Sequence, residues 1–181
     1  GKIAAIVQAR MGSTRLPGKI LKSIQGMPML WHIVSRLKSV NEIDEVVIAT
    51  SDLLKDDKVY EMATNYDIAS FRGSEADVLK RFFGAAKIIN AQYVIRITGD
   101  CPLIDPSTIK KLIKLYFDGG FDFCGVACGA GVVNEKNINR YPDGLDAEIF
   151  SFDILKETHL EAVNDLHREH VTPFIWQNNT R

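Results

Sequence analysis

The sequence predicts a three-layer α/β fold, in which helices cover both faces of a mostly parallel sheet. Short apolar runs alternate along the chain with segments whose apolar residues recur at helical spacing. The first of these runs, Ile3 to Val7, is apolar at every position, as is typical of strands buried on both faces. The 181 residues are 46% hydrophobic and 25% charged, an ordinary composition for a single globular domain.

The predicted elements follow one another in a regular order. Strands are expected at 3–7, 45–50, 68–71, 93–98, 121–128 and 145–152. Six helices are expected. Three of them span 55–66, 153–163 and 166–177. The other three are marked by their first residues: one has Pro28 in its first turn, one begins after a Ser74 cap, and one begins after an Asp105 cap. The stretch 125–144, rich in Gly and Asn, interrupts the alternation and predicts a loop or hairpin excursion from a single domain spanning 1–181.

The charge balance and the cysteine count narrow the function classes. Lys plus Arg number 22 and Asp plus Glu 23, so the net charge is −1, and binding to nucleic acid or an anionic membrane is not expected. Three cysteines, an odd number, argue against a disulfide framework and favour a reducing compartment. No apolar run is long enough to span a membrane and the first residues do not resemble a signal peptide, so a cytoplasmic location is expected.

Residues 9–19 form a loop that directly follows the first predicted strand and carries three cations, Arg10, Arg15 and Lys19. Turns of this kind can present backbone N–H groups to an anion, while Arg and Lys bind phosphate through hydrogen bonds and charge. Ligands of open α/β sheets bind beyond the carboxyl ends of the strands, so the loop is a candidate polyphosphate site. The residues alone also allow a solvated turn with incidental cations. The P-loop pattern does not fit, because Ile20 follows Lys19.

A second polar loop, 99–105, follows the predicted strand 93–98. Its Asp100 stands beside Gly99, just past the strand end. A carboxylate opposite a phosphate loop is well placed to hold Mg²⁺, which usually takes one or two protein carboxylates together with substrate phosphates. The alternative is a turn residue bonded to its own backbone.

The two loops resemble those of the cytidylyltransferases that make CMP-activated sugar acids, namely the acylneuraminate and 3-deoxy-manno-octulosonate cytidylyltransferases. The chain as a whole is most similar to the spore-coat-polysaccharide type of that group. Loop 9–19 carries the most specific match. The other matching segments are GSEADVLKRF, RITGDCPLIDP, YPDGLDAEIFSF and REHVTPFI, at 73–82, 96–106, 141–152 and 168–175.

The resemblance implies a Rossmann-like fold of the nucleotide-diphosphosugar-transferase type. It also implies transfer of CMP from CTP to a sugar with Mg²⁺ and release of pyrophosphate. Carried over by position, Arg10, Arg15 and Lys19 would neutralise the triphosphate, and Asp100 would hold the metal. The remaining nucleotide-binding positions would be Ala9, Gly12, Ser13, Thr50, Ser51, Arg72 and Gly73.

The resemblance is incomplete at the carboxyl end. Relatives of this type continue into a late Val-Asp-Thr-Pro-Glu-Asp-like motif that supplies a second metal carboxylate, and this chain stops at Arg181 without it, so that element is expected to be missing. Asp143, Asp146 and Glu148 are candidate substitutes or sugar-side residues, or they belong to a plain hairpin. Arg168 and His170 could meet an acidic sugar.

Relatives also dimerise through a segment like 125–144, which implies a homodimer here. In a monomer, Val126, Val132 and Val133 of this segment are expected to be exposed.

Two other functions remain open at this point. A glycosyltransferase that uses a finished nucleotide-sugar would need an Asp-x-Asp-like motif, and Asp-Cys-Pro at 100–102 is not one. An inactive nucleotide-binding or dimerisation module would bind CTP without turnover.

Overall fold

The computed structural model describes residues 1–13, 16–126 and 144–178. The strands of the described residues are β1 (Ile3–Gln8), β2 (Ser23–Ile24), β3 (Met27–Pro28), β4 (Glu45–Ser51), β5 (Ala69–Gly73), β6 (Tyr93–Thr98), β7 (Phe123–Gly125) and β8 (Ala147–Ser151). Six of them form one sheet in the order β5-β4-β1-β6-β8-β7. Strands β5, β4, β1 and β6 pair in parallel, whereas β8 runs antiparallel to both β6 and β7. The prediction of a mostly parallel sheet is confirmed.

Helices cover both faces of this sheet. They are α1 (Met29–Lys38), α2 (Asp57–Asn65), α3 (Val78–Ile88), α4 (Pro106–Gly119), α5 (Phe152–Glu161), α6 (Asp165–His170) and α7 (Pro173–Asn178). Alternate residues of β1 enter different cores, because successive strand side chains point to opposite faces. Ala5 and Val7 pack with α1, α2 and α4, whereas Ala4 and Ile6 pack with α3, α5 and α7. The predicted three layers are therefore present.

The order of the strands reverses direction between β1 and β6. From β1 the chain goes to β4 and β5 on one side, and it then crosses to β6 on the other side. Loops that leave such a switch point in opposite directions open a crevice at the carboxyl ends of the strands. Gly99 closes this edge tightly: its N–H donates to the Gln8 carbonyl at 2.7 Å. A Cβ at Gly99 would lie 2.8 Å from that oxygen, so a larger residue does not fit.

The segment predicted as one helix at 166–177 is two helices. Val171 lies between α6 and α7 at φ +68°, a strained value for a β-branched residue. Thr172 precedes Pro173, and proline disfavours the helical conformation in the residue before it. The break is held in place by the burial of Val171 and by Thr172, whose hydroxyl donates to Glu148.

Two local predictions at helix starts were wrong. Pro28 precedes α1 as the last residue of the β2–β3 hairpin and does not lie in the first helical turn. The hairpin turn places Gln25 and Gly26 at φ 51° and 85°, a combination typical of tight two-residue turns. The α3 cap is Asp77, which accepts the Lys80 N–H, whereas Ser74 accepts the N–H of Asp77. The predicted Asp105 cap of α4 is confirmed.

Most of the excursion predicted at 125–144 lies outside the described residues, together with Val132 and Val133. The expectation for Val126 was wrong, since this residue is half-buried against the core. Its N–H donates to the Ala147 carbonyl at 2.9 Å, which continues the pairing of β7 with β8. Among the helices of the described ranges, none has the length and apolarity needed to cross a bilayer.

Candidate functional site

The loop after β1 folds back on itself around one carbonyl. The oxygen of Met11 accepts the N–H of Ser13 at 2.9 Å and that of Gly18 at 3.2 Å. Gly18 adopts φ 67°, a left-handed value that glycine takes at little cost. The Ser13 hydroxyl accepts the Leu16 N–H, which ties the two described ends of the loop together. Arg15 and Thr14 lie outside the described residues.

The predicted phosphate-binding lysine and the predicted metal-binding aspartate meet across the crevice between β1 and β6. Lys19 Nζ lies 2.9 Å from Asp100 Oδ1. The Asp100 side chain is 63% exposed and that of Lys19 is 31% exposed. Exposed pairs of this kind contribute about 0–1 kcal/mol to stability. A triphosphate or a cation could therefore separate them at little cost.

A second carboxylate, that of Asp146, acts electrostatically on Cys101, the residue that follows Asp100. Burial raises the pKa of the Cys101 thiol, and the charges of Asp146 and Asp100 raise it further, while hydrogen bonds to Thr98 and to the Asp146 backbone oppose the shift. Cys101 is 2% exposed, and its raised pKa favours the thiol over the nucleophilic thiolate. The charges of Asp100 and Asp146 are thus both felt by one buried residue, Cys101.

The two carboxylates are of the ligand type that Mg²⁺ prefers. Within 1–13, 16–126 and 144–178 there is no group of three or more His, Cys, Asp or Glu side chains that could hold a metal by themselves. Magnesium does not need one, since it binds through one or two carboxylates and completes its shell with phosphate oxygens and water.

The side of the crevice at β4 is built on a carboxylate that the sequence analysis missed, Asp56. This residue is fully buried. Its Oδ1 accepts the Met11 N–H at 2.6 Å, and its Oδ2 accepts the Ser51 hydroxyl. Asp56 therefore fixes the loop after β1 to the end of β4. Nothing in the sequence pattern separates it from its neighbours Asp52 and Asp57.

A buried arginine, also missed, supports the segment after β5. Arg81 Nη1 donates to the carbonyls of Ser74 and Glu75, at 2.6 and 3.3 Å. The Glu75 carboxylate in turn pairs with Lys55 and lies 3.8 Å from Arg10 Nη1. A signal was available in the sequence, because Arg81 falls on the core-facing stripe of its helix, where a cation is unusual.

The predicted nucleotide-binding positions on β4 and β5 are brought to the same edge of the sheet, but several are already engaged. Arg72 donates to the Ser51 and Leu53 carbonyls, both at 3.0 Å, and pairs with Asp57 at 2.7 Å. Arg72 thus braces the segment after β4. Thr50, Ser51 and Ala9 are almost inaccessible, and Gly73 is part-buried, with a carbonyl that accepts the Asp52 N–H. Gly12 is exposed and stands near Lys55 and Glu75.

The sugar-side candidates do not form one group. Glu148 lies on β8, where it pairs with Arg96 at 2.8 Å and accepts the Thr172 hydroxyl. Arg168 is engaged elsewhere, with Asp77 at 2.7 Å and with the His159 carbonyl at 2.8 Å. The partly exposed His170 makes no side-chain hydrogen bond to any described residue. Asp143 lies outside the described residues.

Comparison with known proteins agrees with this arrangement. The family model described as cytidylyltransferase matches residues 4–181. The spore coat polysaccharide biosynthesis protein SpsF of Bacillus subtilis is 34% identical over 178 residues, which cover 96% of this chain and 69% of SpsF. The 8-amino-3,8-dideoxy-manno-octulosonate cytidylyltransferase of Shewanella frigidimarina is 29% identical over 139 residues, 76% of this chain and 57% of that enzyme.

A solved structure extends the agreement to the fold. A cytidylyltransferase from Leptospira borgpetersenii serovar Hardjo-bovis superposes with a TM-score of 0.83 at 34% identity, over 98% of this chain and 71% of that one. The sheet order, the crevice loops and the match of the family model over nearly the whole chain lead to one conclusion: the chain belongs to the cytidylyltransferase family, a family of CTP-dependent nucleotidyltransferases.

Proposed function

We propose that this protein transfers CMP from CTP to an acidic sugar and releases pyrophosphate. The observation that carries the proposal is the Lys19–Asp100 pair, which spans the crevice at the switch point of the sheet. A cation that binds phosphate and a carboxylate that binds a metal can act on one triphosphate when they lie on the same crevice. Family membership supports the choice of CTP, and the octulosonate enzyme among the relatives supports an acidic sugar as acceptor.

In the proposed reaction a sugar hydroxyl attacks the α-phosphorus of CTP, the bond to the pyrophosphate leaving group breaks, and the hydroxyl proton is released to water. Lys19, Arg10 and Arg15 neutralise the negative charge that grows on the leaving oxygens. The buried Asp56 holds the Met11 amide and thereby keeps this loop in place before substrate arrives. Catalysis of this kind depends on positioning and electrostatics, and it does not require a strong base on the protein.

Asp100 and Asp146 would hold Mg²⁺ together with the phosphate oxygens. The metal would supply positive charge at the α-phosphate and orient the triphosphate for in-line attack. Asp100 is the primary ligand in this proposal, because its carboxylate is exposed and its ion pair with Lys19 is weak. The position of Asp146 beside Cys101 supports its role as the second carboxylate.

On the sugar side, Glu148 is the best placed of the proposed residues. Arg96 and Thr172 fix its carboxylate on β8, next to the strand whose loop carries Asp100. His170 stays a proposal for the acidic group of the sugar, as does Asp143. Arg168 would have to release Asp77 before it could bind a ligand, which makes a structural role the simpler one.

We also propose that the protein is a cytoplasmic homodimer. The two described cysteines, Cys101 and Cys124, are buried free thiols, as expected in a reducing compartment. Dimers with two-fold symmetry are the commonest soluble oligomers. Light scattering on the purified chain tests the dimer: a mass near twice 20.2 kDa is expected, and 20.2 kDa at tens of micromolar would contradict it.

The activity is tested by pyrophosphate release, with four nucleoside triphosphates crossed against a panel of sugar acids and neutral sugars. Release is expected only with CTP, a sugar acid and Mg²⁺ together. Lys19→Ala should abolish most of it, whereas Lys22→Ala, an exposed lysine nearby in sequence, serves as the matched control. Hydrolysis of a finished nucleotide-sugar would favour a glycosyltransferase. CTP binding without pyrophosphate release would favour an inactive module.

A further inference from the structure

Arg81 is a buried cation with two guanidinium nitrogens, Nε and Nη2, that have no hydrogen-bond partner among the described residues. Its side chain is fully buried on α3, next to the buried residues Val78, Leu79 and Phe82. Nη1 donates to two carbonyls. Burial lowers the pKa of Arg81 and the positive charge of Arg10 lowers it further, while the charges of Asp56, Glu75 and Asp52 oppose the shift.

Such an arrangement is costly. A buried charge loses its hydration, and each buried donor without a partner costs about 1–3 kcal/mol. An apolar side chain of similar length would fill the same space without these costs, as replacements of buried ionic groups by packed hydrophobic residues have shown. Buried polar groups are normally paired, and exceptions to this rule are expected mainly at functional sites.

The contacts of Arg81 show what it holds. Its Nη1 binds the carbonyls of Ser74 and Glu75, which belong to the turn between β5 and α3. The same turn is closed by the Ser74 hydroxyl, which accepts the Asp77 N–H at 3.0 Å. With both carbonyls fixed, the backbone of Glu75 has little freedom to move.

Glu75 carries this constraint to the loop after β1. Its carboxylate pairs with Lys55 and lies 3.8 Å from Arg10 Nη1. It also stands close to Gly12, where an added Cβ would lie 3.9 Å from Glu75 Oε1 and 3.7 Å from Lys55 Nζ. Two cations at the carboxyl ends of neighbouring strands are therefore oriented by one carboxylate on the turn that Arg81 holds.

We infer that Arg81 is a positioning residue of the nucleotide site: it fixes the turn that carries Glu75, and Glu75 sets the orientation of Arg10 and Lys55 toward the triphosphate. Arg81 itself touches no substrate in this scheme. The effect on CTP rests on the proposed function, whereas the effect on the turn does not.

The test uses three variants of the whole chain: Arg81→Met, Arg81→Lys and, as a matched control, Lys80→Met. The control removes a cation from the adjacent, exposed position of the same helix. Thermal unfolding, amide hydrogen exchange of the peptide spanning 73–79, and the kcat and KM for CTP are measured on each.

We expect Arg81→Met to melt within a few degrees of the wild type, since the buried charge is replaced by a packed apolar chain. Exchange in 73–79 should rise at least fivefold, and kcat/KM for CTP should fall about tenfold, mainly through KM. Arg81→Lys should recover most of the affinity through its charge and one hydrogen bond. Lys80→Met should match the wild type in all three measurements. A merely structural Arg81 would lower the melting temperature and leave the KM of the folded enzyme unchanged, which would overturn the inference.

A double-mutant cycle with Glu75→Gln tests the route of the effect. If Arg81 acts through Glu75, the change in CTP affinity caused by Glu75→Gln, in either direction, should shrink by at least half in the Arg81→Met background. Additive changes would overturn the route. Increased exchange at 73–79 in Arg81→Met, together with a wild-type chain that binds no CTP, would overturn the proposed function and leave the hold of Arg81 on the turn intact. Wild-type exchange in Arg81→Met would overturn the inference whatever the activity.

Discussion

Asp100 and Asp56 are carboxylates that follow the two strands flanking β1, yet their surroundings differ in every respect. Asp56 follows β4 and is fully buried, and each of its oxygens accepts a hydrogen bond from a neighbouring segment. Asp100 follows β6, its side chain is 63% exposed, and it forms an ion pair with the partly exposed Lys19. The two sit on opposite sides of the loop that carries Arg10.

The difference shows how one residue type can serve two roles, one structural and one in binding. A carboxylate whose lone pairs are taken by the protein stabilises the fold and orients a loop, but it has little to offer a ligand. A carboxylate left in solvent adds almost nothing to stability, yet it can exchange its partner for a cation or a substrate group. Mutations should therefore separate the two: stability depends on Asp56 and turnover on Asp100.

The largest expected effect is on stability at Asp56. Asp56→Ala should lower the free energy of unfolding by about 3–5 kcal/mol, because it leaves the Met11 amide and the Ser51 hydroxyl without an acceptor. Asp56→Asn retains the shape and one acceptor, and should cost about 1–2 kcal/mol. Urea unfolding of both variants beside Asp100→Ala measures the contrast. A loss at Asp100 as large as that at Asp56 would break the comparison.

Turnover should show the reverse order. Lys19→Ala, Arg15→Ala and Asp100→Asn should each reduce kcat/KM by about a hundredfold, since each removes charge that stabilises the leaving pyrophosphate or the cation bound to it. The melting temperatures of Lys19→Ala and Asp100→Asn should stay within about 2 °C of the wild type, because an exposed ion pair contributes little to stability. Asp100→Asn should also weaken the Mg²⁺ dependence of CTP binding in calorimetry. An unchanged metal effect in that variant would remove Asp100 from the site.

Asp105 lies on the same loop as Asp100, but its carboxylate oxygens, like those of Asp56, accept hydrogen bonds from the protein. It therefore tests whether hydrogen bonding or loop position decides the role of a carboxylate. Hydrogen bonds from Ser107 and Thr108 lower its pKa to about 2. Its folded pKa lies below the unfolded value of 3.8, so its contribution is complete above that value and is lost as the pH falls toward 2. Asp105→Ala should cost about 1 kcal/mol at neutral pH, as for other helix caps. Unfolding of wild type and variant should converge near pH 2; a constant difference down to that pH would contradict the assignment.

The smallest effect is expected at His159, in the half-buried cluster with Arg168 and Asp77. Burial lowers the pKa of His159, and the charge of Arg168 lowers it further, while Asp77 opposes the shift. The folded state therefore favours the neutral ring, and stability should decline as the pH falls below the unfolded value of 6.5. His159→Gln should remove this part of the decline, by less than about 1 kcal/mol. Urea unfolding at pH 7.5 and 5.5 measures it, and an identical slope in the variant would exclude His159 as its source.

The sequence by itself determined the alternation of strands and helices, and with it the layers of the fold. Apolar runs such as 3–7 and stripes such as that of α1 need no long-range information, because periodicity follows from local backbone geometry. It also determined that Lys19 and Asp100 belong to loops at the same edge, since the carboxyl ends of parallel strands lie together. Their meeting at 2.9 Å agrees with that expectation.

Only the tertiary structure decided which polar side chains bond to other parts of the protein and which stay available to a ligand. Arg72 and Arg168 are cations that the sequence offered for ligands, and the folded chain engages both with carboxylates and carbonyls distant in sequence. Asp56 and Arg81 were not selected from the sequence, because their roles arise from partners on other segments of the fold. A residue type fixes what a side chain can bond, whereas the burial of that side chain and the segments packed against it decide which bonds remain for a substrate.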